Sequence, residues 1–252
     1  MKAGNPTLND NDRIRYLRQM AIDGFGEEAQ RSLMESTVTV MGIGGLGSPA
    51  SLYLAGAGVG KIILVDFQSP DLSNLNRQVL HWESDVANGT KKAVSAANKL
   101  REMNSDIEII PKVARIGVDD LCKVIEDSAV IVDCLDNFDA RKMLNLHCVK
   151  EDVPFVHAAV ESYSGQLTVV IPGKTPCLDC LFPNSPGGKP IVPIIGFTAG
   201  VFGCMEAAEA VKLITGLGEP LAGKMLVGDL SSNYWETVEV ERNPECPVCC
   251  RH

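Results

Sequence analysis

The strand-like run TVTVM (Thr37–Met41) passes directly into GIGGLGSP (Gly42–Pro49), and no other feature limits the fold as tightly. Apolar and β-branched residues without a charged break read as a buried strand. Glycines at 42, 44, 45 and 47 allow a tight turn whose backbone can approach a ligand closely. Pro49 sits where the first turn of a helix tolerates a missing N–H. Gly42, Gly44 and Gly47 fit the pattern G-x-G-x-x-G, in which N–H groups at the helix start face an anion. Asp66 closes the next apolar run, 24 residues after Gly42, and is placed to accept hydrogen bonds from ribose hydroxyls. Such a turn serves NAD or ATP, and taken alone it favours NAD.

Further apolar runs at Lys61–Asp66, Ile107–Val113 and Ala129–Asp136 alternate with helix-like segments at about 48–58, 88–104, 118–127 and 137–151. Alternation of this kind predicts right-handed βαβ units and a parallel sheet. The second half changes character. PFVHAA, GQLTVVI, KMLVGDL and YWETVEVE are short runs separated by turns and by one helix near 199–215, which predicts antiparallel hairpins extending the sheet. The expected fold is therefore an α/β, Rossmann-like, doubly wound, mostly parallel sheet with antiparallel C-terminal strands. One domain is expected over 1–252, with N-terminal helices in 1–35, a nucleotide-binding half in 36–158 and an antiparallel half in 159–252. Phe182–Gly196 holds four prolines and three glycines, which predicts an irregular loop or lid.

Beyond the second strand lies DLSNLNRQVLH, which puts Asn74, Arg77 and Gln78 on the side where doubly wound sheets bind ligands. NGTKKAVSAANKL opens a helix with Lys91 and Lys92, and DCLDNFDAR puts Asp136 at the mouth of the fourth strand beside Asn137. A guanidinium and an ammonium at one crevice suit a triphosphate, and a carboxylate at a strand end suits Mg²⁺ on phosphate oxygens. Each has a plain alternative: a solvated loop for Asn74–Gln78, a charge pair at a helix start for the lysines, a helix cap for Asp136. None of His81, His147, His157 and His252 has a sequence neighbourhood that nominates it as a catalyst.

The formal charge of −9 opposes a phosphate backbone and argues against nucleic acid as a partner. No apolar run reaches the roughly 20 residues of a membrane span, and the N-terminus is too polar for a secretory signal. A soluble, cytoplasmic protein is expected. There, cysteines serve metals or catalysis more than disulfides. PCLDC supplies Cys177 and Cys180, and PECPVCC supplies Cys246 and Cys249, two C-x-x-C pairs with 65 residues between them. Four such thiolates match closed, structural zinc coordination. Cys250 is expected to be a bystander, and Cys122, Cys134, Cys148 and Cys204 small core residues.

GIGGLGSPASLYLAGAGVGKIILVDF, LSNLNRQ and DCLDN, in this order, resemble the MoeB/ThiF group of adenylyltransferases, relatives of ubiquitin-activating enzymes. The likeness runs from RYLRQ to the last cysteines. It implies that ATP and the C-terminal glycine of a small ubiquitin-like sulfur carrier ending in Gly-Gly react to an acyl-adenylate and pyrophosphate, in molybdopterin or thiamine synthesis. It also implies that Asp66 holds ribose, that Asn74, Arg77 and Lys92 contact nucleotide and phosphates, and that Asp136 holds Mg²⁺. Lys91 is the second candidate for the phosphate lysine. The family forms homodimers in which an N-terminal arginine enters the partner's site, and RYLRQ offers Arg18. Ile194 and Ile195 stand where many relatives carry a cysteine, so the resemblance points to a free acyl-adenylate passed to a separate sulfur donor. The rivals are an NAD oxidoreductase, a non-catalytic scaffold, and an enzyme adenylylating a tRNA-bound carboxylate or a short peptide.

Overall fold

The computed structural model describes residues 8–117, 119, 122–184 and 192–250. Three helices, α1 (Asp10–Arg15), α2 (Leu17–Met20) and α3 (Gly26–Glu35), precede β1 (Thr37–Met41), α4 (Gly47–Ala57) and β2 (Lys61–Val65). Then come α5 (Glu83–Ala87), α6 (Lys92–Met103), β3 (Glu108–Lys112), α7 (Cys122–Glu126), β4 (Val130–Asp133) and α8 (Phe138–Lys150). The chain continues with β5 (Phe155–Glu161), β6 (Ser164–Val170), α9 (Leu178–Leu181), α10 (Gly196–Thr215), β7 (Lys224–Asp229) and β8 (Tyr234–Glu239).

One eight-stranded sheet results, in the order β3-β2-β1-β4-β5-β6-β7-β8. Strands β1 to β5 pair in parallel, and β6, β7 and β8 add antiparallel, as the sequence predicts. Pro111 lies in β3, an edge strand, where a missing N–H breaks no central ladder. Side-chain alternation splits the core between the two faces. Val38, Val40, Ile62 and Leu64 face Leu54, Ala96, Leu100 and Phe202, whereas Met41, Ile63, Val65 and Ile131 face Leu144 and Cys148.

The chain reverses direction across the sheet between β1 and β4, and such a switch leaves a crevice at the strands' carboxyl ends. Two glycines make the turn there obligatory. Gly42 has φ +91°, and a Cβ on it would lie 2.7 Å from the Cys134 carbonyl oxygen. A Cβ on Gly47 would lie 1.9 Å from the Gly42 carbonyl oxygen, closer than any side chain permits.

The structure corrects several expected bounds. The helix expected at about 88–104 is α6, Lys92–Met103, which starts four residues later, and the short helix α5, Glu83–Ala87, precedes it where none is expected. Helix α10 begins at Gly196, three residues before the expected 199, so the last residue of the expected loop is helical, and Cys204 lies in its third turn. Within that loop 185–191, and within the expected helix at 118–127 positions 118, 120 and 121, lie outside the described residues, as does His252. No helix among the described residues is long and apolar enough to cross a membrane.

Candidate active site

The glycine turn is held on both sides of one residue, Ile43. The Ile43 N–H donates to Asp66 Oδ2 at 2.9 Å, and the Gln68 N–H donates to Asp66 Oδ1 at 2.8 Å. Each carboxylate oxygen keeps a second lone pair for a ligand hydroxyl. On the other side, His81 Nε2 lies 2.8 Å from the Ile43 carbonyl oxygen, and its Nδ1 lies 3.0 Å from Ser95 Oγ. Burial pulls the His81 imidazole below the ordinary histidine range, which suits this neutral bridging role. The sequence carried no local signal for it, because Ile43 and His81 are 38 residues apart.

Arg77 lies across the turn, its aliphatic stem within 3.7 Å of where a Gly45 Cβ would stand. Its NH1 donates to the Ser73 carbonyl at 2.9 Å and to Asn76 Oδ1 at 3.2 Å. Gln78 is buried beside Gly44, and its Oε1 has no hydrogen-bond partner among the described residues. Lys92 is 4% exposed and its Nζ donates to Gln68 Oε1 at 2.9 Å, whereas Lys91 stands exposed at the N-cap position and its side chain makes no cap hydrogen bond. This separates the two candidate lysines. Burial pulls the Lys92 ammonium below the ordinary lysine range, Asp66 and Asp136 push it back, and Arg77 lowers it further. Asp66, Asp136 and Arg77 thus all act on the charge of Lys92. Asp136 is exposed and accepts from Asn137 Nδ2 at 3.1 Å.

Other expected site residues have local duties. Asn137 Oδ1 caps α8 by accepting from the Ala140 N–H at 2.9 Å. Asn74 Oδ1 accepts from the Asp71 N–H at 3.2 Å within its own turn. Arg18 is not brought to the crevice at all. Helix α2 lies at the far end of α4, where Gln19 Nε2 donates to the Ala57 carbonyl at 2.8 Å. The glycine turn is at the opposite end of that helix, a length of about 16 Å for its eleven residues. Arg18 is exposed, with no partner for its guanidinium among the described residues.

The four cysteines of the two C-x-x-C pairs meet, all Sγ atoms lying within 4.8 Å of one another. Cys177 and Cys246 are 3.6 Å apart, Cys180 and Cys249 3.4 Å, and Cys177 and Cys180 3.9 Å. Bonds of about 2.3 Å to one tetrahedral ion place sulfurs about 3.8 Å apart, so the donor set fits zinc. Helix α9, which carries Cys180, is fastened to α8: Asn145 Oδ1 accepts from the Leu178 N–H at 3.1 Å, and its Nδ2 donates to Asp179 Oδ2 at 2.8 Å. Of the other thiols, Cys134 and Cys148 are core residues, Cys122 and Cys204 are half-buried, and Cys250 is exposed.

Residues 16–248 match the model of the ThiF family. The chain is 42% identical over 248 residues to the SAMP-activating enzyme E1 of Haloferax volcanii, covering 96% of this chain and 91% of that protein. It is 35% identical over 246 residues to the sulfur carrier protein ThiS adenylyltransferase of Escherichia coli, covering 96% and 97% respectively. Among solved structures, E. coli MccB with ATP superposes with a TM-score of 0.80 at 26% identity, covering 98% of this chain and 76% of that one.

Proposed function

The chain belongs to the ThiF family and is an adenylyltransferase, and on that footing we infer that it uses ATP to adenylylate the C-terminal glycine of a small ubiquitin-like sulfur carrier. The convergence of Arg77, Lys92, Asp66 and Asp136 on one crevice beside the glycine turn carries this reading. Relatives named for carrier activation are 42% and 35% identical, against 26% for MccB, which favours a carrier over its alternatives.

A carboxylate oxygen of the carrier attacks the α-phosphorus, the new C(O)O–P bond forms, and the bond from that phosphorus to the bridging oxygen breaks, so pyrophosphate leaves. The nucleophile is already ionised at neutral pH and needs no general base. The barrier lies in bringing an anion to a polyanion, which Arg77 and Lys92 lower by neutralising phosphate oxygens. Asp66, with its free lone pairs, holds the ribose. Magnesium, which Asp136 would hold, supplies further neutralisation of the leaving group.

Carrier-dependent ATP–pyrophosphate exchange tests the reading. Exchange is expected with a carrier ending in Gly-Gly, none with the same carrier lacking its last glycine, and titration calorimetry is expected to show binding of Mg·ATP and not of NAD. NAD binding without exchange would return the chain to the oxidoreductase class.

In this reading the chain is one unit that works as a homodimer, with Arg18 serving the partner's site. The exposed Ile14, Leu17 and Ile22 around Arg18, at 75%, 60% and 59%, supply an apolar surface for a second copy. Mixing Arg18→Ala with Asp136→Ala subunits is expected to restore up to about a quarter of parental activity, since half of randomly exchanged dimers are hybrids with one intact site of two. No recovery despite demonstrated subunit exchange would remove Arg18 from the partner's site.

The product is expected to stay a non-covalent acyl-adenylate handed to a separate sulfur donor. Ile194 and Ile195 offer no nucleophile, and burial raises the Cys204 thiol above its ordinary range in the middle of α10. Incubation with ATP, Mg²⁺ and carrier is expected to give no reducible enzyme–carrier adduct on non-reducing electrophoresis. An adduct lost in Cys204→Ala would make Cys204 a nucleophile.

The four-cysteine site is read as a closed zinc site with Cys177, Cys180, Cys246 and Cys249 as ligands. It supplies cross-linking of the C-terminal segment to α9 and leaves no open position for chemistry.

A further inference from the structure

Behind the Asp136 loop lies a polar cluster sealed from solvent. Asp133 at the end of β4, His157 in β5 and Arg141 in α8 are 0%, 0% and 4% exposed. Asp133 Oδ2 lies 2.7 Å from His157 Nδ1, and its Oδ1 accepts from the Leu135 N–H at 3.3 Å. A carboxylate only accepts, so Nδ1 carries the proton and Nε2 is left as an acceptor. Arg141 NH1 faces that Nε2 at 3.5 Å. The other edge of the guanidinium, Nε at 3.0 Å together with NH2, donates to the Leu135 carbonyl. The chain of contacts thus ends on the residue immediately before Asp136.

Charge accounting fits a fixed device. Burial, and then Arg141, pull the His157 imidazole down, so it is neutral. Burial, and then Asp133, push the nearby Glu206 carboxyl well above the usual range, and its Oε2 takes a hydrogen bond from Cys134 Sγ at 3.3 Å. One carboxylate then faces one guanidinium. The Phe182 ring packs against the cluster, 6.0 Å from His157 and 5.5 Å from Phe138. Burying such a pair adds little stability compared with apolar packing. What it does secure is the orientation of one peptide at a strand-to-helix turn.

We propose that Asp133, His157 and Arg141 are positioning residues that hold the Leu135 carbonyl, and with it the Asp136 carboxylate, in place to receive a magnesium-bound nucleotide. This rests on the reading of Asp136 as the magnesium ligand given above. Outer partners that orient a metal ligand typically change metal affinity by about 10–100-fold when lost.

The test is a cycle of Arg141→Lys, Asp136→Ala and the double variant. Lysine keeps the charge opposite Asp133, but one ammonium cannot reproduce the planar fork on both Leu135 and His157. Arg141→Lys is expected to raise the Mg²⁺ concentration for half-maximal exchange, and the calorimetric Kd for Mg·ATP, about tenfold. In the Asp136→Ala background the same substitution is expected to leave Mg·ATP affinity, measured by calorimetry, unchanged within about twofold, because its route has been removed. A lowered melting temperature with an unaltered Mg²⁺ requirement would make the cluster purely structural and overturn the proposal. Additive losses in the double variant would overturn it as well. If Asp136→Ala alone leaves the Mg²⁺ requirement unchanged, the magnesium reading itself fails, and the positioning role fails with it. Should Arg141→Lys not fold, His157→Gln, neutral like the imidazole, enters the same cycle with an expected shift of about threefold.

Discussion

Asp136→Ala is expected to lower carrier-dependent ATP–pyrophosphate exchange by about 10³-fold while the melting temperature stays within about 2 °C of the parent. The two halves of that expectation have separate grounds. Asp136 is exposed, and its one hydrogen bond among the described residues comes from Asn137, whose own side chain makes the cap of α8. Removing the carboxylate therefore leaves no buried group unsatisfied and breaks no cap, and a surface change of this kind costs little stability. The chemistry has no such reserve. Asp136 raises the Lys92 ammonium across the crevice, and in the proposed reaction its carboxylate would hold the ion on the leaving pyrophosphate. Exchange and thermal melting on the same preparation separate these effects. Near-normal exchange in Asp136→Ala would remove this residue from the reaction, whatever the fold does.

The parts legible in the sequence were those whose signal is local. The strand Thr37–Met41 was readable to the residue, because a β-branched apolar run is bounded by a charged helix end on one side and by glycine on the other. The two C-x-x-C pairs are legible because each is written within four residues, and only the meeting of their four thiols needs the fold. Helix α10 starts three residues before the sequence suggests, since Gly196, Phe197 and Thr198 look like the end of a loop until their packing is known. A Cβ on Gly196 would lie 2.3 Å from the Asn76 carbonyl oxygen, so close approach to the Arg77 segment demands glycine there in spite of its poor helix propensity.

What the sequence hid was the partner of each buried charge. His157 and Asp133 are 24 residues apart and meet because β4 and β5 are neighbours in the sheet. Asp66 reads from the sequence as a ribose ligand, and the structure shows it fastening the glycine turn through the Ile43 N–H. No periodicity records such pairings, since they depend on which strands adjoin.

Treatment with a strong chelator, or Cys246→Ser, is expected to lower the melting temperature by on the order of 10 °C, with Mg·ATP affinity changed by less than about threefold at temperatures where the protein remains folded. The purified protein is correspondingly expected to hold about one zinc per chain. Cys246 and Cys249 lie in a C-terminal segment without a strand or helix of its own, so the thiolates would be its main fastening. Arg242 adds hydrogen bonds to the carbonyls of Gly173 at 2.9 Å and Cys249 at 2.7 Å, too few to replace a metal. The small effect on nucleotide has a structural cause. Asn145 still ties α9 to α8 when the metal is lost, through the Leu178 N–H and Asp179, so the α8 end that carries the Asp136 loop is not released outright. Zinc analysis by mass spectrometry, melting curves with and without chelator, and calorimetric Mg·ATP titration decide the matter. Protein prepared without chelators and holding no zinc would sink the metal reading. A loss of ATP affinity equal to the loss of stability would show that the cysteine site acts directly on the crevice and not as a clasp.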